Sequence, residues 1–145
     1  MKKALFFFSL LAILAIPQMQ AYDFSATTPG GQTLYYNINP GTTTVTVTYP
    51  GSDYNDAWYG FSRPTDSLVI PSTVTYNSQT YSVTSIGERS FYYCSGLISV
   101  TIADSVTSIG DEAFSDCSGL ISVAIPNSVA SIGNYAFYDC GSLTS

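Results

Sequence analysis

A β-rich solenoid with a short N-terminal cap is the fold class predicted by this chain, on three observations. Residues 105–127 repeat residues 82–104 at about two-thirds of positions and are repeated again over 128–145. A fixed period of about 23 residues marks stacked units, each burying its apolar face only against its neighbours. From residue 22 onward no ten-residue stretch shows helical periodicity, whereas short β-branched and aromatic runs recur. Residues 22–81 lack the period yet carry strand and turn signals, as a segment closing the first unit should.

Residues 1–21 have the layout of a secretory signal peptide. Lys2 and Lys3 form a positive start, Ala4–Ile16 is an apolar run too short to span a bilayer, and Pro17–Ala21 is a polar end with a small last residue. Cleavage is expected after Ala21, giving a secreted or cell-surface protein with no membrane span left. No cysteine follows the apolar run, which argues against a lipid anchor. Without the two lysines the formal charge of −6 becomes about −8, and Arg63 and Arg89 are the only cations left. Such a chain cannot neutralise phosphates, so nucleic acid is excluded as a partner and an anionic membrane surface is disfavoured.

The region 22–81 reads as the cap. Thr33–Asn39 and Thr44–Tyr49 are strands of a hairpin turning at Pro40-Gly41, with Pro29–Gly31 and Pro50–Asp53 at its outer ends. Asp53–Gly60 is a polar and aromatic loop. Ser67–Val74 matches Ser122–Val129 in its serine, isoleucine, proline and final valine, so it is the strand half of a degenerate repeat. Tyr76 and Tyr81 flank a polar turn and indicate an inserted hairpin covering the first unit. The repeats proper are then 82–104, 105–127 and the incomplete 128–145.

Within a repeat, Leu97, Val100 and Ile102, and equally Leu120, Val123 and Ile125, form a short strand facing inward, with Pro126 at the strand end. Val106 with Ile109, and Val129 with Ile132, make a second inward segment, closed by Gly110 and Gly133 for their freedom of φ. Asp111–Cys117 is expected to make one helical or 3₁₀ turn with its carboxylates at the N-terminal end. Ala113 and Phe114 point inward. Cys94, Cys117 and Cys140 share one phase and should stack as a ladder of small buried thiols, about 5 Å apart.

The pattern Leu-x-x-Val-x-Ile-Pro-x-x-Val-x-x-Ile-Gly-x-x-Ala-Phe-x-x-Cys, from Leu120 to Cys140, resembles the BspA-type leucine-rich repeat of secreted and surface proteins of gut and mouth bacteria. The resemblance covers residues 82–145 and implies a leucine-rich repeat solenoid preceded by a β-hairpin N-terminal cap. It also implies a protein-binding or adhesive role, with the ligand specific to each member. Members of that family usually carry more repeats. Since the array stops at Ser145, the chain is expected to be an N-terminal fragment, or else to self-associate through the bare end around Phe137, Cys140 and Leu143.

Catalytic arrangements are missing from the composition. With no histidine, and lysine only at positions 2 and 3, the Ser-His-Asp, Cys-His and Ser-Lys arrangements are excluded, and no C-x-x-C pair offers a zinc site. Asp111 with Glu112, or Asp116, are the close carboxylates, but they recur with the repeat and read as turn residues. Asp53, Asn55 and Asp56 offer oxygen ligands in a spacing that matches no defined calcium loop. No cofactor is expected.

Two sets of side chains remain as a binding surface for a protein or a surface glycan. Ser99, Thr101, Ser122 and Ala124 alternate with the core residues of the repeated strand and should face outward. Tyr92, Tyr93, Tyr135 and Tyr138 adjoin the ladder cysteine in the first and third repeats, and Trp58 stands in the irregular loop. Aromatic side chains give contact area and a polar tip at low entropy cost. Trp58 has a second reading, in which it covers the apolar end of the first unit. The expected function is a non-enzymatic binding or adhesion module. The alternatives are a passive spacer for a missing C-terminal region, or a glycan-binding accessory protein.

Overall fold

The structure is a computed structural model that describes residues 21–53 and 55–145; the expected leader, apart from Ala21, lies outside them. Strands β1 (Phe24–Thr27), β2 (Thr33–Ile38) and β3 (Thr44–Thr48) form an antiparallel meander, with Val45 and Val47 buried by the alternation in Thr-Val-Thr-Val-Thr. The β2–β3 turn lies where Pro40-Gly41 placed it, with Gly41 at φ 74. β1 was not legible as a strand.

β4 (Asp66–Ile70) opens a second sheet, and β5 (Thr73–Tyr76) forms the inserted hairpin with β6 (Gln79–Ile86). Asn77 and Ser78 turn that hairpin with φ of 47 and 64, the left-handed pair of a type I′ connection. The remaining strands are β7 (Leu97–Ile102), β8 (Ser108–Ile109), β9 (Ser122–Ala124) and β10 (Ser131–Ile132).

The repeats stack in parallel along two sides. β3, β6, β8 and β10 pair in that order, aligning Val47, Ile86, Ile109 and Ile132. β4, β7 and β9 pair likewise and align Leu68, Val100 and Val123, so Ser67–Val74 does supply a strand of the repeat type. The register shift at Asp66/Ser67 skips Ile98. That bulge lets Leu97 and Val100, three residues apart, both face the core.

The third side departs from the expectation. Asp111–Cys117 makes no helical or 3₁₀ turn, and no helix occurs among the described residues. Instead the N–H groups of Arg89, Phe91 and Tyr93 donate to the carbonyls of Asp111, Ala113 and Ser115 in the next repeat, at 3.0, 2.8 and 3.0 Å. Glu112, Phe114 and Asp116 do the same toward Asn134, Ala136 and Tyr138, at 2.9, 2.7 and 2.8 Å. The residues between them, Ser90, Tyr92 and Cys94, close tight turns on the carbonyls three back. Pointing alternate amides at the neighbour requires left-handed backbone at Arg89, Tyr93, Glu112, Asp116, Tyr135 and Asp139, with φ between 52 and 60. Composition hides this, because few of those residues are types that favour φ > 0.

The glycines after the second strand also have a different reason from the one expected. Gly110 and Gly133 are absent from the positive-φ residues. A Cβ on Gly110 would sit 2.6 Å from Glu88 N, and one on Gly133 2.5 Å from Asp111 N. They are glycine because the neighbouring backbone is too close for any side chain.

Phe91, Phe114 and Phe137 stack along the axis, with centroids 4.9 and 5.3 Å apart. The cysteines form the expected ladder of free thiols: Cys94 and Cys117 are buried, Cys140 half-buried. Cys117 Sγ donates to the Phe91 carbonyl and Cys140 Sγ to that of Phe114, both at 3.1 Å. Burial is the main cause pushing the Cys117 thiol up from its ordinary 9.0 to about 12. It pushes Cys94 up as well.

Three outcomes follow from this packing. Gly110→Ala should cost about 1–3 kcal/mol in a denaturant melt, whereas Gly141→Ala, with nothing within 4 Å of its Cβ, should be near neutral; equal costs would contradict the close-approach account. The folded state favours the neutral thiol of Cys117. Its stabilisation is therefore whole below pH 9 and is lost as pH rises toward about 12, and a pH-stepped melt should show stability falling across that window. At pH 8 iodoacetamide should label native Cys140 first and leave Cys94 and Cys117 unmodified until unfolding; equal labelling would refute the buried ladder.

Candidate functional site

Stacking sorts the sequence candidates onto different sides of the molecule. On the β4–β7–β9 side, Ser67, Ser99 and Ser122 form one column, and Val69, Thr101 and Ala124 the next. Thr101 and Ala124 are exposed, while Ser99 and Ser122 are half-buried, with Ser99 Oγ donating to Ser67 Oγ at 2.9 Å. This face is shallow because its side chains are small. Val69, Ile98 and Ile121 stand on it as exposed apolar groups that sequence reasoning missed. The Leu97-Ile98 and Leu120-Ile121 pairs held the signal, since adjacent residues of a strand face opposite ways.

Trp58 is withdrawn as a binding residue, because it is 1 % exposed. Its ring lies edge-on to Tyr35, and its Nε1–H donates to the Ser90 carbonyl at 3.2 Å. Ser90 is the first-repeat equivalent of Ala113 and Ala136, whose carbonyls accept an amide from the preceding repeat. The indole thus supplies the donor that a preceding repeat would have given. Val47 completes the same junction: its carbonyl accepts Gly87 N at 2.8 Å, as Ile86 does from Gly110 and Ile109 from Gly133.

Near this junction the acidic loop is already engaged. Asp53 Oδ1 accepts Asn55 N at 2.8 Å, and Asp56 Oδ1 accepts both Trp58 N and the Arg63 guanidinium. Among the described residues no group of three His, Cys, Asp or Glu side chains could hold a metal ion. A cleft of about 480 Å³ opens beside Arg63, Phe61 and Gln32. Gln32 Nε2 ties it to the Thr65 and Ser67 carbonyls, at 2.8 and 3.0 Å.

The four candidate tyrosines come together on the third side. Tyr93, Tyr135 and Tyr138 are 51, 66 and 60 % exposed, and Tyr92 is half-buried. Tyr92 meets Tyr93 edge-on at 4.7 Å, and Tyr135 meets Tyr138 edge-on at 5.6 Å. The intervening repeat has Ser115 and Asp116 at the positions of Tyr92 and Tyr93. A slot of about 470 Å³ results, lined by Tyr92, Glu112, Ser115, Asp116, Tyr135 and Tyr138. Arg89 bonds Glu112 Oε2 through Nε at 2.9 Å and Nη2 at 2.8 Å, and its guanidinium lies 5.1 Å over the Tyr92 ring. Burial and the Asp116 carboxylate raise the Tyr92 phenol above its ordinary 10.0.

Residues 66–145, over half of the chain, match the BspA-type leucine-rich repeat region in six copies. No curated protein matches. Among solved structures, a leucine-rich repeat protein from Bacteroides ovatus is 33% identical with a TM-score of 0.69, over 86% of this chain and 29% of its own length. A leucine-rich cell surface protein from Faecalibacterium prausnitzii is 30% identical with a TM-score of 0.61, over 84% of this chain and 30% of its own. A leucine-rich repeat protein from Bacteroides capillosus is 28% identical with a TM-score of 0.65, over 84% and 80%. The chain therefore spans less than a third of the first two structures.

Proposed function

The chain belongs to the BspA-type leucine-rich repeat family, and from that premise we propose a non-enzymatic, extracytoplasmic binding module that presents its stacked repeats to a protein ligand on a host or microbial surface. In this reading the repeats form a solenoid. The β1–β3 meander and the loop carrying Trp58 are its N-terminal cap, with Val47 and Trp58 meeting the hydrogen-bonding groups of the first repeat. Export through residues 1–21 agrees with the likeness to the cell surface protein of Faecalibacterium prausnitzii.

The observation that carries the binding role is the clustering of Tyr135 and Tyr138, each more than half exposed, with the half-buried Tyr92 around one slot on the repeat surface. Large aromatic side chains left in water in this way are what protein interfaces use as anchors. The absence of histidine, and of lysine beyond position 3, supports the non-enzymatic part.

Solid-phase binding of the full chain to a panel of extracellular matrix proteins, with soluble glycans in parallel, tests this. Saturable binding to a protein and none to the glycans is expected. Binding to no protein of the panel would contradict the reading.

A further inference from the structure

We propose that the slot between Tyr92 and Tyr138 is a receptor for a cationic side chain, an arginine or lysine projecting from a partner protein. The inference rests on the protein-binding reading above and gives the chemistry of its ligand. The repeat itself builds the slot. Tyr92, Ser115 and Tyr138 occupy one position in three successive repeats, so a small residue lies between two aromatic walls. Stacked rungs lie about 4.8 Å apart, so the backbones that carry the two walls are about 10 Å from each other. A cation midway between rings held at that spacing would lie about 5 Å from each, inside the ~6 Å range of cation–π attraction.

The charges at the slot select among ligands. Glu112 and Asp116 both line it. Glu112 is matched by Arg89, while the side-chain hydrogen bond that Asp116 receives comes from Ser115 Oγ at 2.8 Å. Arg63 and Arg89 are the cations of the described residues, and Arg63 is engaged with Asp56. Among the described residues Asp116 thus has no cation paired with it, and Asp139, exposed one repeat further on, adds like charge. An anionic ligand is repelled here, and a neutral sugar leaves the carboxylate unmatched. The molecule already holds one guanidinium in the same manner: Arg89 lies over the Tyr92 ring while bonding a carboxylate, and it does not itself line the slot. Tyr138 with Asp116 offers the same pairing of ring and carboxylate without the guanidinium.

Amide chemical shifts of the full chain, titrated with the peptide acetyl-Gly-Arg-Gly-Arg-Gly-amide, its glutamine counterpart and maltohexaose, test the proposal. The arginine peptide should shift Tyr92, Ser115, Asp116 and Tyr138, and bind several-fold more weakly on going from low to physiological salt. Asp116→Asn should weaken it at least about fivefold without moving the melting temperature, because asparagine tolerates the left-handed backbone that Asp116 has at φ 60. Tyr138→Ser, which copies the middle repeat, should weaken it similarly, and Asp104→Asn, outside the slot, should not. Equal shifts from the glutamine peptide, slot shifts from maltohexaose alone, or indifference to Asp116→Asn would overturn the proposal. Should the chain bind a panel protein while the arginine peptide fails to seat, the slot inference falls and the protein-binding reading stands. Should the peptide seat in the slot while no panel protein binds, the slot inference stands and the matrix-protein reading falls.

Discussion

Backbone hydrogen bonds from each repeat to the next, made along three sides in one register, are the constraint on which the rest of the structure depends. Two sides are short parallel strands, and the third is a run of turns in which alternate amides point at the neighbour. The third side is the demanding one. It needs two non-glycine residues per repeat in left-handed backbone, at roughly 1–2 kcal/mol each. Against that stand three inter-repeat hydrogen bonds per junction, each contributing about 1 kcal/mol net, and a stacked phenylalanine pair adding about 0.5–1.5 kcal/mol. The terms are of one size, so the turn conformation is held by stacking and has little local preference behind it.

Most of the sequence detail follows from that register. Close approach on the inner turn leaves no room for a Cβ at Gly110 or Gly133, and a thiol is small enough to pack in the corner while donating to the neighbouring carbonyl. On its second-strand and turn sides the first repeat has no predecessor of its own type, and residues from outside the period take up its bonds there. Val47 accepts the Gly87 amide, Trp58 donates to Ser90, and Ser90 replaces the alanine of later repeats with a hydroxyl 2.8 Å from the Val47 carbonyl.

The parts legible in the sequence were those set by periodicity. The period of 23, the strand around Leu97–Ile102, the half repeat at 67–74, the hairpin at 76–81 and the thiol ladder all follow from spacing and side-chain type. The turn side was not legible, because Arg89, Tyr93 and Glu112 give no sign of positive φ, and Asp111-Glu112 at the start of a short polar run imitates a helix N-terminus. Trp58 was ambiguous, since the same indole suits an exposed platform or a core donor. The tyrosines were singled out by their place in the repeat, but the slot was not. It exists only because Tyr92 and Tyr138 face the same way across the gap left by Ser115, and their direction is fixed by the left-handed turns.

Stacking therefore connects the fold to the proposed binding slot: it is what places two tyrosines from different repeats and the Asp116 carboxylate together. Native-state amide hydrogen exchange of the full chain tests this most directly. The account predicts that the amides of Phe91, Tyr93, Phe114 and Asp116 exchange as slowly as those of Val100 and Ile102 in β7, since both sets bond to a neighbouring repeat or sit in its ladder. Exchange of the turn amides at the rate of an open loop, with β7 still protected, would show that the third side is not joined repeat to repeat and would contradict the account.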